Sequence, residues 1–102
     1  MTMRRYHVYM LECADGKYYT GLTASLELRL AQHRRGHDPS SFTFGRRPVK
    51  LVWTGSFPTE QQARECERQL KGWSRAKKQA LIRKGLTGVH AVVHSERKKR
   101  AL

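Results

Sequence analysis

The sequence predicts one small α/β domain with the element order β-β-α-β-α-α. Three observations lead there. The chain has 102 residues, room for one domain and not for two. It opens with two aromatic-rich, strand-like runs broken at Asp15-Gly16, which is a hairpin signature. The stretches that follow carry apolar residues at helical spacing, bounded by capping residues.

Residues 6–14, Tyr-His-Val-Tyr-Met-Leu-Glu-Cys-Ala, read as the first strand, and Lys17 to Leu22 as its return. A two-residue loop at Asp15-Gly16 would pair Ala14 with Lys17 and set Tyr9 and Tyr19 on opposite faces. A three-residue loop, Ala14-Asp15-Gly16 with Gly16 left-handed, would pair Cys13 with Lys17. Tyr9, Leu11, Tyr19 and Gly21 would then share one face. Propensity alone does not choose between the two. Residues 24–35 form the first helix, with Thr23 or Ser25 as cap and Gly36 as stop. Leu26 and Leu30 mark its buried stripe, and Arg29 and His33, four apart, lie along one edge of it. Residues 36–48 form an irregular loop whose length favours a functional role over a mere connection. Val49 to Trp53 reads as the third strand. Thr59 and Gln62 make a capping box that opens a second helix running to about Lys71. Its core stripe is Ala63, Cys66, Leu70 and Trp73, and Glu67 falls only about 40° from Ala63 around the helix. Ser74 caps a third helix, Arg75 to Lys84, stopped by Gly85. The expected domain is thus 1–85, followed by a C-terminal extension, 86–102, with a basic tail from Glu96.

Composition narrows the function. Lys and Arg number 21 against 8 Asp and Glu, a formal charge of +13, and such a domain attracts polyanions, nucleic acid first among them. A passive basic protein, ribosome-associated or otherwise protein-binding, would carry the same excess. No 18-residue apolar run exists, and the N-terminal residues lack the apolar stretch of a secretory leader. Cys13 and Cys66 stand apart, with no C-x-x-C spacing for zinc or redox chemistry. Two reduced thiols in a cytoplasmic protein are the expectation.

The candidate chemistry lies in three places: the tyrosines Tyr9 and Tyr19, the Arg29/His33 pair, and Glu67. Each has a plain structural explanation on its own, since tyrosines pack in strands, basic helix residues face solvent, and carboxylates pair with nearby cations. Converging, they would supply what phosphodiester hydrolysis needs: a base for water, a cation for the developing charge, and an anion for a metal. No phosphate-binding glycine loop or nucleophile elbow competes.

These residues resemble a known family. Val8-Tyr9 through Tyr19-Thr20-Gly21 resembles the opening hairpin of the GIY-YIG nuclease superfamily, and Leu26 through His33 its first helix. Arg46 to Trp53 and Ala63 to Ile82 resemble the small stand-alone YhbQ-like proteins. The match runs over about residues 6–84. It implies a single small GIY-YIG domain, a three-stranded mixed sheet flanked by helices, with both motif tyrosines on one catalytic surface. It implies a metal-dependent endonuclease using Mg²⁺ or Mn²⁺, structure-selective or weakly specific, on DNA in preference to RNA. By the resemblance, Tyr9 is the base, Tyr19 and His33 position water and phosphate, Arg29 neutralises the phosphate, and Glu67 holds the metal. The chain has His7-Val8-Tyr9 for the first motif, Thr20 within the second, and no asparagine, which many active members use late in the domain. A nucleic-acid-binding module without turnover is therefore the second expectation. Arg46, Arg47, Lys77 and Lys78 are the expected nucleic-acid contacts, with Phe42 and Phe44 either stacking on bases or packing the loop. A homodimer or a partner protein would supply further specificity.

Overall fold

The computed structural model describes residues 4–84. Its elements are β1 (Tyr6–Glu12), β2 (Tyr18–Thr23), α1 (Leu26–Arg35), β3 (Lys50–Phe57), α2 (Glu60–Lys71) and α3 (residues 75–84). The α/β class and the β-β-α-β-α-α order are those expected. Gly85 and the extension 86–102 lie outside the described residues.

The hairpin takes the three-residue loop. Gly16 has φ +84°, the Gly16 N–H donates to the Cys13 carbonyl at 2.9 Å, and the Cys13 N–H to the Lys17 carbonyl at 2.8 Å. Only glycine adopts this left-handed turn position without strain. Tyr9 therefore faces Gly21 and Leu11 faces Tyr19. Asp15 fixes the turn by accepting the Lys17 N–H at 3.0 Å.

The sheet order is β2-β1-β3, and both pairings are antiparallel. The expected mixed sheet is corrected on this point. β2 and β3 do run in the same direction, but β1 lies between them, so no parallel ladder forms. β3 is also longer than the expected Val49–Trp53. Thr54 to Phe57 continue the pairing, and Thr54 Oγ1 donates to the Val8 carbonyl at 3.1 Å. Met10 pairs with Trp53 and Leu11 with Leu51, which leaves Val52 as a bulge.

Helices cover both faces of this sheet, so the central strand carries an unbroken apolar run instead of an alternation. Val8 and Met10 join Trp53, Ala63, Leu70 and Leu81 beneath α2 and α3. Tyr9, Leu11 and Cys13 join Leu30 and Val49 on the opposite face. The helix ends follow their capping residues. Gly36 closes α1 in the left-handed conformation, Thr59 Oγ1 accepts the Gln62 N–H at 3.2 Å, and Ser74 Oγ accepts the Lys77 N–H at 3.2 Å. Ser25 occupies the α1 N-cap without a side-chain bond, and the Thr23 hydroxyl instead accepts the Ser25 N–H at 3.0 Å. No helix among the described residues is long and apolar enough to cross a membrane.

Candidate active site

The site begins with the parity of the hairpin. Because Tyr9 and Gly21 are directly opposed, the Tyr9 ring can lie across the glycine. A Cβ at position 21 would stand 2.5 Å from the Tyr9 ring and hydroxyl. Tyr19, two residues earlier on the same face of β2, places its ring centroid 6.1 Å from that of Tyr9.

His33 comes from α1. The sequence put it along the edge of the helix's buried stripe, whereas the structure buries it with Leu30, at 7 % exposure. The reason is that it has two polar partners inside, which removes the penalty of burying an imidazole. Its Nε2 lies 2.9 Å from the Tyr9 hydroxyl, and its Nδ1 lies 2.7 Å from Thr43 Oγ1. Thr43 Oγ1 is in turn 3.1 Å from Ser41 Oγ. A four-member chain, Tyr9–His33–Thr43–Ser41, thus runs from the sheet to the loop after α1. Both neighbours of His33 are hydroxyls that can donate or accept, so the geometry suits either tautomer of a neutral ring. The ring is neutral at pH 7, because burial, and then the nearby Arg29 charge, hold its pKa below the usual value.

Tyr9 is 1 % exposed, and its phenol is pushed well above the usual tyrosine range. Burial is the main cause; Tyr19 adds to it, and Arg29 opposes it. The Glu67 charge also disfavours the phenolate, which brings Glu67 on α2 within electrostatic reach of Tyr9. Glu67 is 21 % exposed and pairs through Oε2 with Lys71 Nζ at 3.4 Å. Arg29 is exposed and, with Tyr19 and His33, lines a cavity of about 280 Å³ closed on its other side by the 36–44 loop.

Four of the five expected catalytic residues, Tyr9, Tyr19, Arg29 and His33, therefore meet around one point, whereas Glu67, on α2, is linked to it through the effect of its charge on Tyr9. The expected nucleic-acid contacts are more dispersed. Arg46 donates to Asp15 Oδ2 at 3.1 Å and to the Phe42 carbonyl at 2.7 Å, with its guanidinium 3.9 Å above the Phe42 ring. Arg47 donates to the Phe44 carbonyl at 2.9 Å and covers the Phe44 ring. Both arginines hold the loop in shape. Lys77, its ammonium 4.4 Å from the centre of the Trp73 ring, and Lys78 belong to α3, on the sheet face opposite Tyr9. Thr43, 1 % exposed, was not singled out by the sequence. Its one signal is a threonine flanked by two phenylalanines in a polar, basic loop.

The arrangement defines a class of protein, and comparison with known families agrees. A family model described as the GIY-YIG catalytic domain matches residues 5–80, so the chain belongs to the GIY-YIG family. Within it, the chain is similar to small stand-alone proteins. A UPF0213 protein of Halobacterium salinarum is 46 % identical over 77 residues, which cover 76 % of this chain and 99 % of that one. A UPF0213 protein of Staphylococcus saprophyticus is 37 % identical over 83 residues, 81 % of this chain and all of that one. The solution NMR structure of a UPF0213 protein from Bacillus halodurans is 40 % identical, with a TM-score of 0.51, covering 76 % of this chain and 82 % of that chain.

Proposed function

We propose that the protein is a divalent-metal-dependent endonuclease that hydrolyses phosphodiester bonds in nucleic acid, DNA in preference to RNA, by in-line attack of water. Its family is one of nucleases, and the observation that carries the finer reading is the buried Tyr9–His33–Thr43 chain opening beside Arg29.

The difficulty for Tyr9 as a base is its raised pKa. A free phenolate, buried beside Tyr19 and within reach of the Glu67 charge, is disfavoured. The hydrogen-bond chain removes that difficulty. If His33 carries its proton on Nδ1, donated to Thr43, then Nε2 accepts the Tyr9 proton as the phenol oxygen takes one from water. No free phenolate forms, and the imidazole, neutral beforehand, holds the proton only transiently, because burial and the Arg29 charge disfavour its protonated form. Arg29 compensates the charge that builds on the phosphate, and Tyr19 orients water or phosphate by its hydroxyl.

A magnesium ion suits the residues present. Among the described residues there is no cluster of three or more His, Cys, Asp or Glu side chains. Mg²⁺ retains most of its waters and takes one or two carboxylates plus substrate phosphate, so the single half-buried Glu67 is a sufficient protein ligand. When bound, the ion would supply Lewis-acid stabilisation of the phosphate. Free Cys13 and Cys66 support a reducing, cytoplasmic setting.

The test is cleavage of labelled duplex, branched and single-stranded DNA and RNA with Mg²⁺, Mn²⁺ or chelator. Arg29→Ala and Glu67→Ala run beside wild type, with binding measured on the same substrates. Metal-dependent cutting that both substitutions abolish is the expected result. Tight, salt-sensitive binding with no cutting would instead establish the non-catalytic binding module, the reading that the absence of asparagine favours.

A further inference from the structure

The cavity of about 280 Å³ beside the site has walls that the hydrolytic chemistry does not use. Its volume lies below the roughly 300–1,000 Å³ of pockets that enclose drug-sized ligands, which suits one small ring system. One wall is Phe42, 40 % exposed in a molecule whose other aromatic rings are mostly covered. The exposed ring is nevertheless held in place. Arg46 sits 3.9 Å above its centroid, and Tyr19 lies nearly parallel to it, 23° between planes at 6.0 Å. With Arg46 and Tyr19 against it, the part of this rigid ring that stays exposed is the surface left for stacking.

The polar part of the lining points the same way. Asp38, Ser40 and Gln32 border the cavity. Asp38 accepts both the Ser40 N–H, at 3.0 Å, and the Ser40 hydroxyl, at 2.7 Å, bonds that keep its carboxylate ionised. A carboxylate in a domain of formal charge +13 repels phosphate, yet it accepts hydrogen bonds from the amino groups of bases. Arg29, in the lining of the same cavity, has the opposite preference. The cavity thus offers, within one lining, a cation for a phosphate together with an aromatic and an acceptor for a base.

We propose that this cavity seats a single unpaired nucleobase adjoining the phosphate held by Arg29, with Phe42 as its stacking surface and Asp38 as an acceptor for its amino group. The proposal rests on the nucleic-acid reading above and adds the structure that the substrate must have. A base in an intact duplex is stacked and paired and cannot enter without being extruded, so single strands, bubbles and frayed ends are the preferred partners.

Binding is measured in chelator, where no cutting intervenes. A 2-aminopurine is placed in a single-stranded oligonucleotide, in a one-base bubble and in a full duplex. Wild type should bind the first two more tightly than the duplex, with a fluorescence change confined to them. Phe42→Ala should lower their affinity by about 5- to 150-fold, the range of a lost base–aromatic stack, with duplex affinity unchanged. Phe42→Tyr should retain it. In the wild-type protein, amide resonances of Ser40 to Thr43 should shift on adding the single strand and not the duplex, a readout independent of how well any variant folds. Equal affinity for all three DNAs, with no response at residues 40–43, would overturn the base pocket while leaving nucleic-acid binding intact. Binding to none of them would overturn the underlying reading as well.

Discussion

Thr43→Val isolates the hydrogen-bond chain with little change of shape, because valine replaces a hydroxyl by a methyl of similar size. The lost partner is His33 Nδ1, at 2.7 Å in wild type. Thr43 is 1 % and His33 7 % exposed, so water does not readily take the vacated place. An unsatisfied buried polar group costs about 1–3 kcal/mol. At about 2 kcal/mol, a domain this small should lose about 8–16 °C of melting temperature, measurable by calorimetry. The second effect is on the proton. A valine accepts no hydrogen bond, so an Nδ1–H would be stranded, and the ring should move its proton to Nε2, where the Tyr9 oxygen can accept it. Tyr9 would then have no acceptor for its own proton. With ¹⁵N-labelled histidine, His33 should show a protonated Nδ1 in wild type and a protonated Nε2 in Thr43→Val. Cleavage should fall about tenfold for each 1.4 kcal/mol of transition-state stabilisation lost, and Thr43→Ser should restore both tautomer and rate. An unchanged His33 tautomer together with an unchanged melting temperature would refute the argument.

Three further outcomes follow from the same geometry. The folded-state pKa of His33 lies below its unfolded value of about 6.5, so the unfolded chain binds more protons and stability rises with pH. The melting temperature of wild type should therefore hold above pH 6.5 and fall as pH drops through the folded pKa, and His33→Gln should flatten that slope in parallel scans. Gly21→Ala forces a methyl to within 2.5 Å of the Tyr9 ring, so equilibrium urea unfolding should show a loss of about 1–3 kcal/mol, with cleavage reduced as Tyr9 is displaced. Arg46→Ala removes a part-exposed pair with Asp15, which by itself should change stability by less than about 1 kcal/mol. Hydrogen exchange of residues 42–46 should nevertheless quicken, since the same side chain holds the Phe42 carbonyl and ring.

What could be read from the sequence was local. Asp15-Gly16, Gly36, Thr59 and Ser74 marked ends and turns because their preferences act through neighbouring backbone, and each occupies such a position. The hairpin register was undecided because both loop lengths satisfy the same turn residues. Gly16 settles it with its positive φ. The sheet order escaped the sequence, since it depends on whether β3 meets β1 or β2 after a long connection through α1 and the 36–48 loop. The site was legible as a set of residue types, and Tyr9, Tyr19, Arg29 and His33 do converge. His33's burial was not legible, because its second partner, Thr43, lies in a loop whose path is set by tertiary contacts. Ala14 N–H to the Arg46 carbonyl, at 2.8 Å, and Arg46 to Asp15 tie that loop to the hairpin turn.

The central strand has a consequence for how such a protein can change. Val8, Tyr9, Met10 and Leu11 are each at most 1 % exposed, and alternate residues belong to different cores. The middle of the strand that carries Tyr9, Val8 to Leu11, therefore has no position free to drift. A substitution aimed at the chemistry disturbs the packing on both sides, and one that only repacks α2 shifts the backbone beneath Tyr9. New specificities have to be acquired where residues have one obligation at most, on the rim of the 36–48 loop and the outer face of α3, with the strand kept as fixed capital.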